Sequence, residues 1–260
     1  MRRLRVTVKH SNPPVVRADG ELDYKNCSTL ERLIQDTVGR HGPTLGLALD
    51  GLDFVDSSGI RILAKAAHAA QNSGGALNLI SLTPQLRHAL EVTGFNQLFQ
   101  ISGCTVQMEA PVITYPHTGR MSSFKVPAAM SAPRNVRDRV CDFAACMGFG
   151  EPAMDDIKLA VGEAMSNAVR HGGATNDDFV HIGCHAREDR LRVEIRYPSE
   201  EFDPDQVPVP SFDPPAEGGM GIYFMRLVMD KVEYQFADGH AILTLEKHTA
   251  GSNESSNNTY

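Results

Sequence analysis

Three polar side chains recur at every fourth position of one amphipathic segment: Glu163, Asn167 and His171. On a helix this spacing places them on one face. A carboxylate one turn from a carboxamide can polarise a hydroxyl group while the amide oxygen holds Mg²⁺. A solvated polar stripe would give the same pattern, and that alternative stays open. The flank of this face is small, as if another group must approach it, and consists of Ala160, Ala164 and Ala168.

A second segment suited to chemistry is Asp56-Ser57-Ser58-Gly59, which follows an apolar run and precedes a helical pattern. Both serines are therefore expected at, or just before, a helix N-terminus. Backbone amides and the positive end of the helix dipole can accept a phosphate there, and a phosphoserine would add about −2 charge. Such a modification could abolish docking of a partner. The plainer interpretation, that the serines cap the helix, also fits these four residues.

Strand and helix signals alternate through the first half of the chain, which predicts a central sheet covered by helices. A capping-box pattern at Ser28 and Glu31 marks the start of the first helix. The expected strands are residues 4–8, 14–18, 45–49 and 76–81, with a return towards strand at 95–101. The expected helices are residues 28–40, 60–71 and 84–92.

The periodicity lapses over residues 109–122, which contain Pro111, Pro116 and Gly119, so we place a linker there. The predicted domains are residues 1–108 and 123–248, and the Ser- and Asn-rich residues 249–260 are predicted to be a disordered tail. The second domain is expected to contain helices at about 131–147 and 151–171, and a short helix from the glycine-rich residues 218–221 to about 230. Its expected strands are residues 179–186, 190–197, 232–236 and 241–245.

Composition narrows the classes of function. The chain has 260 residues, 42% of them hydrophobic, which suffices for two packed cores. A formal net charge of −7 opposes direct binding to nucleic acid or to anionic membranes, so a protein or small-molecule partner is expected. Five cysteines without a CxxC pair favour reduced thiols over a disulfide framework or a metal site. No long apolar run is present, and we expect a cytoplasmic protein.

Several motifs of the first half together resemble STAS domains of the anti-sigma factor antagonist family, over about residues 4–108. They are Gly-Glu-Leu-Asp at 20–23, Phe-Val-Asp-Ser-Ser-Gly-Ile at 54–60 and Thr-Gly-Phe at 93–95. The resemblance implies that Ser57 is phosphorylated by a cognate kinase, with Ser58 as the second choice. It also implies a surface that docks on a kinase or anti-sigma factor when unphosphorylated, formed by Asp56, Ser57, Ser58, Gly59 and Ile60.

The spacing Glu-x-x-x-Asn-Ala-x-x-His at residues 163–171 resembles the N box of GHKL ATPases, in particular the anti-sigma-factor serine kinases. About fifty residues later, Gly-Gly-Met-Gly-Ile at 218–222 resembles their second glycine box, and the likeness covers about residues 123–248. It implies an α/β chain, in which a STAS-type sheet with helices precedes a GHKL (Bergerat) α/β sandwich. Glu163 would be the general base and Asn167 the ligand of Mg²⁺ on ATP. The further nucleotide-binding residues would be His171, Gly219, Met220 and Gly221.

One part of the family pattern is absent. The first glycine box, Asp-x-Gly-x-Gly, should fall at residues 197–201, where the chain has Tyr197, Ser199 and Glu201 instead. In the family that Asp accepts a hydrogen bond from the adenine amino group, and losing such a buried partner costs about 1–3 kcal/mol. Glu217 stands where the serine kinases can carry an Arg that faces the phosphates. These departures oppose productive binding of Mg·ATP.

Three functions therefore remain open for a partner-switching regulator of sigma-factor signalling. The first is an active Mg·ATP-dependent serine kinase that phosphorylates a STAS antagonist or its own Ser57. The second is a nucleotide-independent docking module that binds only partner proteins, with the STAS domain as its switch. The third, a scaffold, does not explain the presence of Glu163 and Asn167. The resemblance implies a sigma factor, an anti-sigma factor or STAS antagonist and a phosphatase as partners, and it leaves a homodimer open.

Overall fold

The computed structural model describes residues 3–101, 119–129, 132–171, 179–187, 189–207 and 219–249, without the side chain of His171. The chain forms two compact units, one of Met1–Met108 with Val209–Met220 and one of Glu109–Pro208 with Gly221–Tyr260. Each unit contains its own five-stranded sheet. In the described ranges no helix has the length and apolar character needed to cross a membrane.

The first unit is a mostly parallel sheet with the strand order β1-β2-β3-β4-β5, in which only the β1–β2 pair is antiparallel. Its strands are Arg5–Lys9 (β1), Val15–Leu22 (β2), Leu45–Val55 (β3), Leu77–Leu82 (β4) and Gln100–Ile101 (β5). Its helices are Cys27–His41 (α1), Ser57–Asn72 (α2) and Pro84–Val92 (α3). The core between sheet and helices includes Leu22, Leu30, Leu47, Ile60 and Leu63, all fully buried. The expected sheet covered by helices is thus confirmed.

The capping box expected at the start of α1 is wrong. The helix begins at Cys27, one residue before Ser28, and the residue that precedes it, Asn26, makes no capping hydrogen bond. The Asn26 side chain is engaged by the preceding turn, because its Oδ1 accepts from the Asp23 amide at 3.1 Å and its Nδ2 donates to the Glu21 carbonyl at 2.9 Å. The local turn over residues 21–26, and not the Ser28 motif, therefore sets the start of the helix.

The second unit is an antiparallel sheet with the strand order β6-β7-β8-β10-β9. Its strands are Met121–Pro127 (β6), Phe179–Ala186 (β7), Arg190–Pro198 (β8), Lys231–Ala237 (β9) and His240–His248 (β10). Its helices are Ala132–Ala144 (α4), Glu151–His171 (α5) and Met220–Val228 (α6). The strand register brings Ile182, Ile195 and Leu243 together on one buried face of the sheet, and α4 and α5 pack on it.

Strand β6 starts inside the segment predicted to be a linker. Met121 pairs with His185 and Ser122 with Cys184, so the last two residues of the predicted linker belong to the sheet. A strand at the edge of a sheet carries too weak an alternation to be separated from a linker by composition. At the other end, the Thr249 amide donates to the Asp189 carbonyl at 2.9 Å. Residues 109–118 and 250–260 lie outside the described residues.

Candidate functional site

Helix α5 carries the first candidate side chains on its inner face. Glu163 is 2% exposed, and Ala160, Ala164 and Ala168 around it are fully buried. Asn167, one turn further, is half-buried. The alternative of a solvated stripe is therefore wrong for Glu163. His171 ends the helix, and its side chain lies outside the described residues.

Gly221 brings the glycine-rich segment against these two side chains. A Cβ atom built on Gly221 would lie 2.6 Å from Glu163 Oε2 and 3.5 Å from both terminal atoms of Asn167. Real Cβ atoms do not approach an oxygen this closely, so a side chain at position 221 would displace the Glu163 carboxylate. Gly219, just before α6, has a left-handed φ of 74°, and Met220 is 4% exposed. Gly218 and Glu217 lie outside the described residues. Helix α5 and Gly221 are thus in contact, and the nucleotide-binding roles expected for Gly219, Met220 and Gly221 stay predictions.

Tyr197 lies at the end of β8, where the family resemblance expects the aspartate. It is 2% exposed and pairs with Ala241 of β10, whose small side chain leaves room for the ring. Burial raises the pKa of the Tyr197 phenol to about 12, so the group stays neutral near pH 7. The residues at the positions of the two expected glycines are less buried than Tyr197. Ser199 is half-buried, and its hydroxyl donates to the Glu200 carbonyl at 2.8 Å. Glu201 is exposed.

The sequence motifs did not indicate Tyr234 of β9. It pairs with Leu243 of β10, so its ring lies on the same sheet face as Tyr197, and its hydroxyl oxygen is buried. Burial, and next the neighbouring Tyr197, raise the pKa of Tyr234, whereas Asn167 lowers it. Tyr234 therefore connects the side chain of Asn167 to that of Tyr197. No local motif marks it, because the three residues come from α5, β8 and β9.

An aromatic segment covers the sheet beside Tyr234. The Phe202 ring lies edge-on to Tyr234 and to Phe236, with ring centroids 5.3 and 5.1 Å apart. The same segment is attached to α6 through Asp205, whose Oδ1 accepts from Arg226 at 2.6 Å. The residues after the degenerate first glycine box thus form part of the wall next to the candidate site.

Lys247 fixes the two helices of the site relative to each other. Its Nζ donates to Asp156 Oδ2 in α5 at 2.7 Å and to the Val228 carbonyl at the end of α6 at 2.6 Å. The lysine and aspartate side chains are 16% and 11% exposed, so the ion pair is largely shielded from water. Sequence reasoning also missed this residue, which lies 91 positions from its partner.

In the first unit, Asp56 caps α2. The Gly59 amide donates to Asp56 Oδ1 at 3.0 Å, and the Tyr24 amide donates to Asp56 Oδ2 at 2.9 Å. Ser57 and Ser58 are the first two residues of the helix. The side chain that accepts the capping hydrogen bond is therefore that of Asp56, and the interpretation of the serines as mere caps is not needed.

Most of the predicted docking residues are buried, although a docking surface needs exposed side chains. Asp56 is 1% exposed, Ser57 and Ser58 are 7% exposed, and Ile60 is fully buried. A Cβ on Gly59 would lie 2.8 Å from side-chain atoms of Leu22 and Val55, so this turn is closely packed. Burial raises the pKa of Asp56 to about 6. Their part in docking remains a prediction, and it requires the start of α2 to become accessible.

Among the described residues, no group of three or more His, Cys, Asp or Glu side chains could hold a metal ion. The four cysteines in that part of the chain, Cys27, Cys141, Cys146 and Cys184, are free thiols.

Comparison with known proteins agrees with this division. Residues 5–107 match the family model of the STAS domain, and residues 126–247 match that of the histidine kinase-like ATPase domain. The fold and the site thus define a chain that joins a STAS domain to a histidine kinase-like ATPase domain.

Curated relatives identify the family of the second half. The serine-protein kinase RsbW of Bacillus velezensis is 35% identical over 126 residues, which are 44% of this chain and 78% of the relative. That of Bacillus subtilis is 34% identical over 124 residues, with the same two coverages. An anti-sigma factor antagonist of Mycobacterium paratuberculosis, a solved structure, is 25% identical with a TM-score of 0.36 and covers 38% of this chain and 86% of its own.

Through its second half, the chain belongs to the family of RsbW serine-protein kinases. Together with the STAS domain, this makes it a regulator of the partner-switching type in sigma-factor signalling, which works through protein partners.

Proposed function

We propose that the second unit is a Mg·ATP-dependent serine kinase that phosphorylates a STAS antagonist, with Glu163 as the general base. The observation that carries this proposal is the convergence of Glu163, Asn167 and Gly221. Such a site requires a buried carboxylate, a carboxamide and a glycine at the start of a helix. The family relationship to serine-protein kinases supports the same activity.

The residues fit the phosphate and metal end of a nucleotide. The missing Cβ of Gly221 leaves space for Glu163 and Asn167, and the Asn167 carboxamide oxygen is a hard ligand of the kind that Mg²⁺ prefers. When bound, Mg·ATP supplies the γ-phosphoryl group that the serine oxygen of the substrate accepts, and ADP leaves. Glu163 accepts the proton of that serine hydroxyl. Gly221 and the start of α6 present backbone amides to the phosphates.

We also propose that the first unit is a switch operated by phosphorylation at Ser57, with Ser58 as the second choice. Ser57 is the first residue of the 16-residue helix α2, where helix amides and the helix dipole stabilise negative charge. The added charge would lie beside the buried carboxylate of Asp56. Repulsion between the two would change the start of α2, which is the predicted docking site for a kinase, an anti-sigma factor or a phosphatase.

Titration of the full chain with Mg·ATP tests the kinase proposal. We expect wild type to bind, Asn167→Ala to lose binding, and Glu163→Gln to bind within about threefold of wild type while its phosphoryl transfer to a STAS substrate falls by about 10² or more. Glu233→Gln is the matched control, because this exposed carboxylate lies on β9 and pairs with Lys231. Unchanged transfer in Glu163→Gln would remove Glu163 from the role of base.

A second candidate function, a docking module that needs no nucleotide, is favoured by one observation. The buried Tyr197 occupies the position at which the family resemblance expects an aspartate that contacts adenine. A neutral phenol is a weaker hydrogen-bond acceptor than a carboxylate. Absence of heat and of a thermal shift at millimolar Mg·ATP would favour this function over the kinase.

A further inference from the structure

Helix α6 is held against helix α5 at two points, one near each of its ends. Near its start, Gly221 lies against Glu163, where a Cβ built on the glycine would lie 2.6 Å from Glu163 Oε2. At its end, the Val228 carbonyl accepts from Lys247 Nζ at 2.6 Å, and the same Nζ donates to Asp156 Oδ2 of α5 at 2.7 Å. Two points on α6 are thus tied to two points on α5.

The spacing of these points is the same on both helices. Gly221 and Val228 are seven residues apart in α6. Asp156 and Glu163 are also seven residues apart, in α5. At about 1.5 Å per residue, each spacing is about 10 Å, or about two turns. Because the end of α6 is linked to the earlier of the two α5 residues, the helices run in opposite directions between the two points. The contacts therefore define one register of α6 along α5.

Backbone hydrogen bonds anchor the chain after α6 to β10, the strand that carries Lys247. The Asp230 amide donates to the Glu246 carbonyl at 3.0 Å, and Asp230 Oδ2 accepts from the His248 amide at 2.6 Å. Lys247 also places a cation at the C-terminus of α6, where it interacts favourably with the helix dipole. Lys247 is therefore the link that ties this anchored end of α6 to α5.

The register matters because it decides which residue of α6 faces the candidate site. A shift of α6 by one residue would move Gly221 by about 1.5 Å along the helix and turn it by about 100°. Glu163 would then meet a side chain in place of the glycine. Asn167, whose two terminal atoms lie 3.5 Å from the same Cβ position, would lose its contact with Gly221 as well. The arrangement of the site thus depends on a link about two turns away.

We propose that Lys247 is a positioning residue of the candidate site. By tying the end of α6 to α5, it holds Gly221 in register with Glu163 and Asn167. Lys247 lies outside both sequence motifs and acts through helix α6. Its effect on phosphoryl transfer rests on the proposed kinase function, whereas the register itself does not depend on that function.

Combining Lys247→Met with Gly221→Ala tests the register in the full chain without nucleotide. Alone, Gly221→Ala overpacks the contact with Glu163 and should lower the urea midpoint of the second unit. In the Lys247→Met chain α6 can shift and relieve the overpacking, so the same change should lower the midpoint by less than half as much.

Ile182→Ala is the matched control background, because it removes a buried side chain of β7 and destabilises the second unit with the Lys247 link intact. In that background Gly221→Ala should lower the midpoint as much as it does in wild type. Equal losses in the wild-type, Lys247→Met and Ile182→Ala chains would overturn the inference and leave the kinase proposal standing.

Phosphoryl transfer to a STAS substrate tests the consequence for the site, under conditions in which every variant is folded. We expect Lys247→Met to lower kcat by about tenfold and to leave KM for the STAS substrate within about threefold, because the base is misplaced. Lys247→Arg keeps the charge and the donors, and should recover kcat to within about threefold of wild type. Ile182→Ala should stay within about twofold.

The other outcomes separate the two proposals. Equal kcat in Lys247→Met and in wild type would overturn the positioning role. An equal loss of kcat in Lys247→Met and Ile182→Ala would make Lys247 a structural residue and would also overturn it. An absence of transfer in wild type would refute the kinase proposal, and the urea midpoints would then decide the inference alone.

Discussion

Gly221 and Glu163 approach each other so closely that a Cβ on the glycine would lie 2.6 Å from the carboxylate oxygen. The two residues are 58 positions apart, and each belongs to a different motif of the sequence. Their contact makes the position of the carboxylate depend on the absence of a side chain in α6. Glu163 is 2% exposed, so it has little room to withdraw.

Gly221→Ala should therefore displace the Glu163 carboxylate. We expect the free energy of unfolding to fall by about 1–3 kcal/mol, the usual cost of overpacking. The rate of phosphoryl transfer should fall by about 10², because the base is misplaced. Chemical denaturation and a transfer assay measure the two effects. Gly183→Ala in β7 is the control, since its Cβ would meet no atom closer than 3.5 Å. Equal transfer rates in the two variants would contradict the prediction.

The ion pair of Lys247 and Asp156 should contribute more to stability than the exposed pairs of the same unit. Lys247→Met would leave the Asp156 carboxylate and the Val228 carbonyl without their shared donor. We expect a loss of about 2–4 kcal/mol in the free energy of unfolding, towards the range for breaking a buried pair. Lys231→Met removes the exposed pair with Glu233 and should cost about 0–1 kcal/mol. Similar losses in urea denaturation would refute the difference.

The pH dependence of the first unit should carry a contribution from Asp56. Burial, with a smaller effect of Asp23, raises the pKa of Asp56 from 3.8 to about 6 in the folded chain. The folded state therefore binds this proton more tightly than the unfolded state does. The stabilisation that the protonated Asp56 provides is complete below about pH 4 and is lost as the pH rises through about 6.

Asp56 should change the free energy of unfolding by about 3 kcal/mol over this pH range. A pKa difference of 1 between the folded and unfolded states corresponds to about 1.4 kcal/mol, and the difference here is roughly 2. Carboxyl-carbon NMR of the full chain would follow the titration of Asp56 directly. Asp56→Asn should remove this part of the pH dependence while one side-chain oxygen still caps α2. A midpoint near 4 for Asp56 would contradict the expectation.

The elements of the fold were largely predictable from local patterns, whereas the contacts that complete the site were not. The predicted helix over residues 84–92 matches α3, because proline and an N-cap threonine mark its start locally. The shared helix face of Glu163 and Asn167 was predictable for the same reason, since helical spacing is a local signal, whereas their chemical roles stay predictions. Tyr234 and Lys247 were missed, because their roles depend on strand register and on partners up to 91 residues away. The capping box of Ser28 failed because Asn26 hydrogen-bonds to the preceding turn.

Ser57 should be the residue that a cognate kinase modifies in the first unit. Asp56 already supplies the helix cap, so Ser57→Ala should keep the chain folded, at a cost of about 0.5–3 kcal/mol in the free energy of unfolding, and still abolish phosphorylation. Ser58→Ala is the matched control, since the neighbouring serine is equally buried at 7% exposure. Mass spectrometry after incubation with an RsbW-type kinase and ATP would locate the phosphate. Phosphate that remains in Ser57→Ala and disappears in Ser58→Ala would move the switch to the second serine.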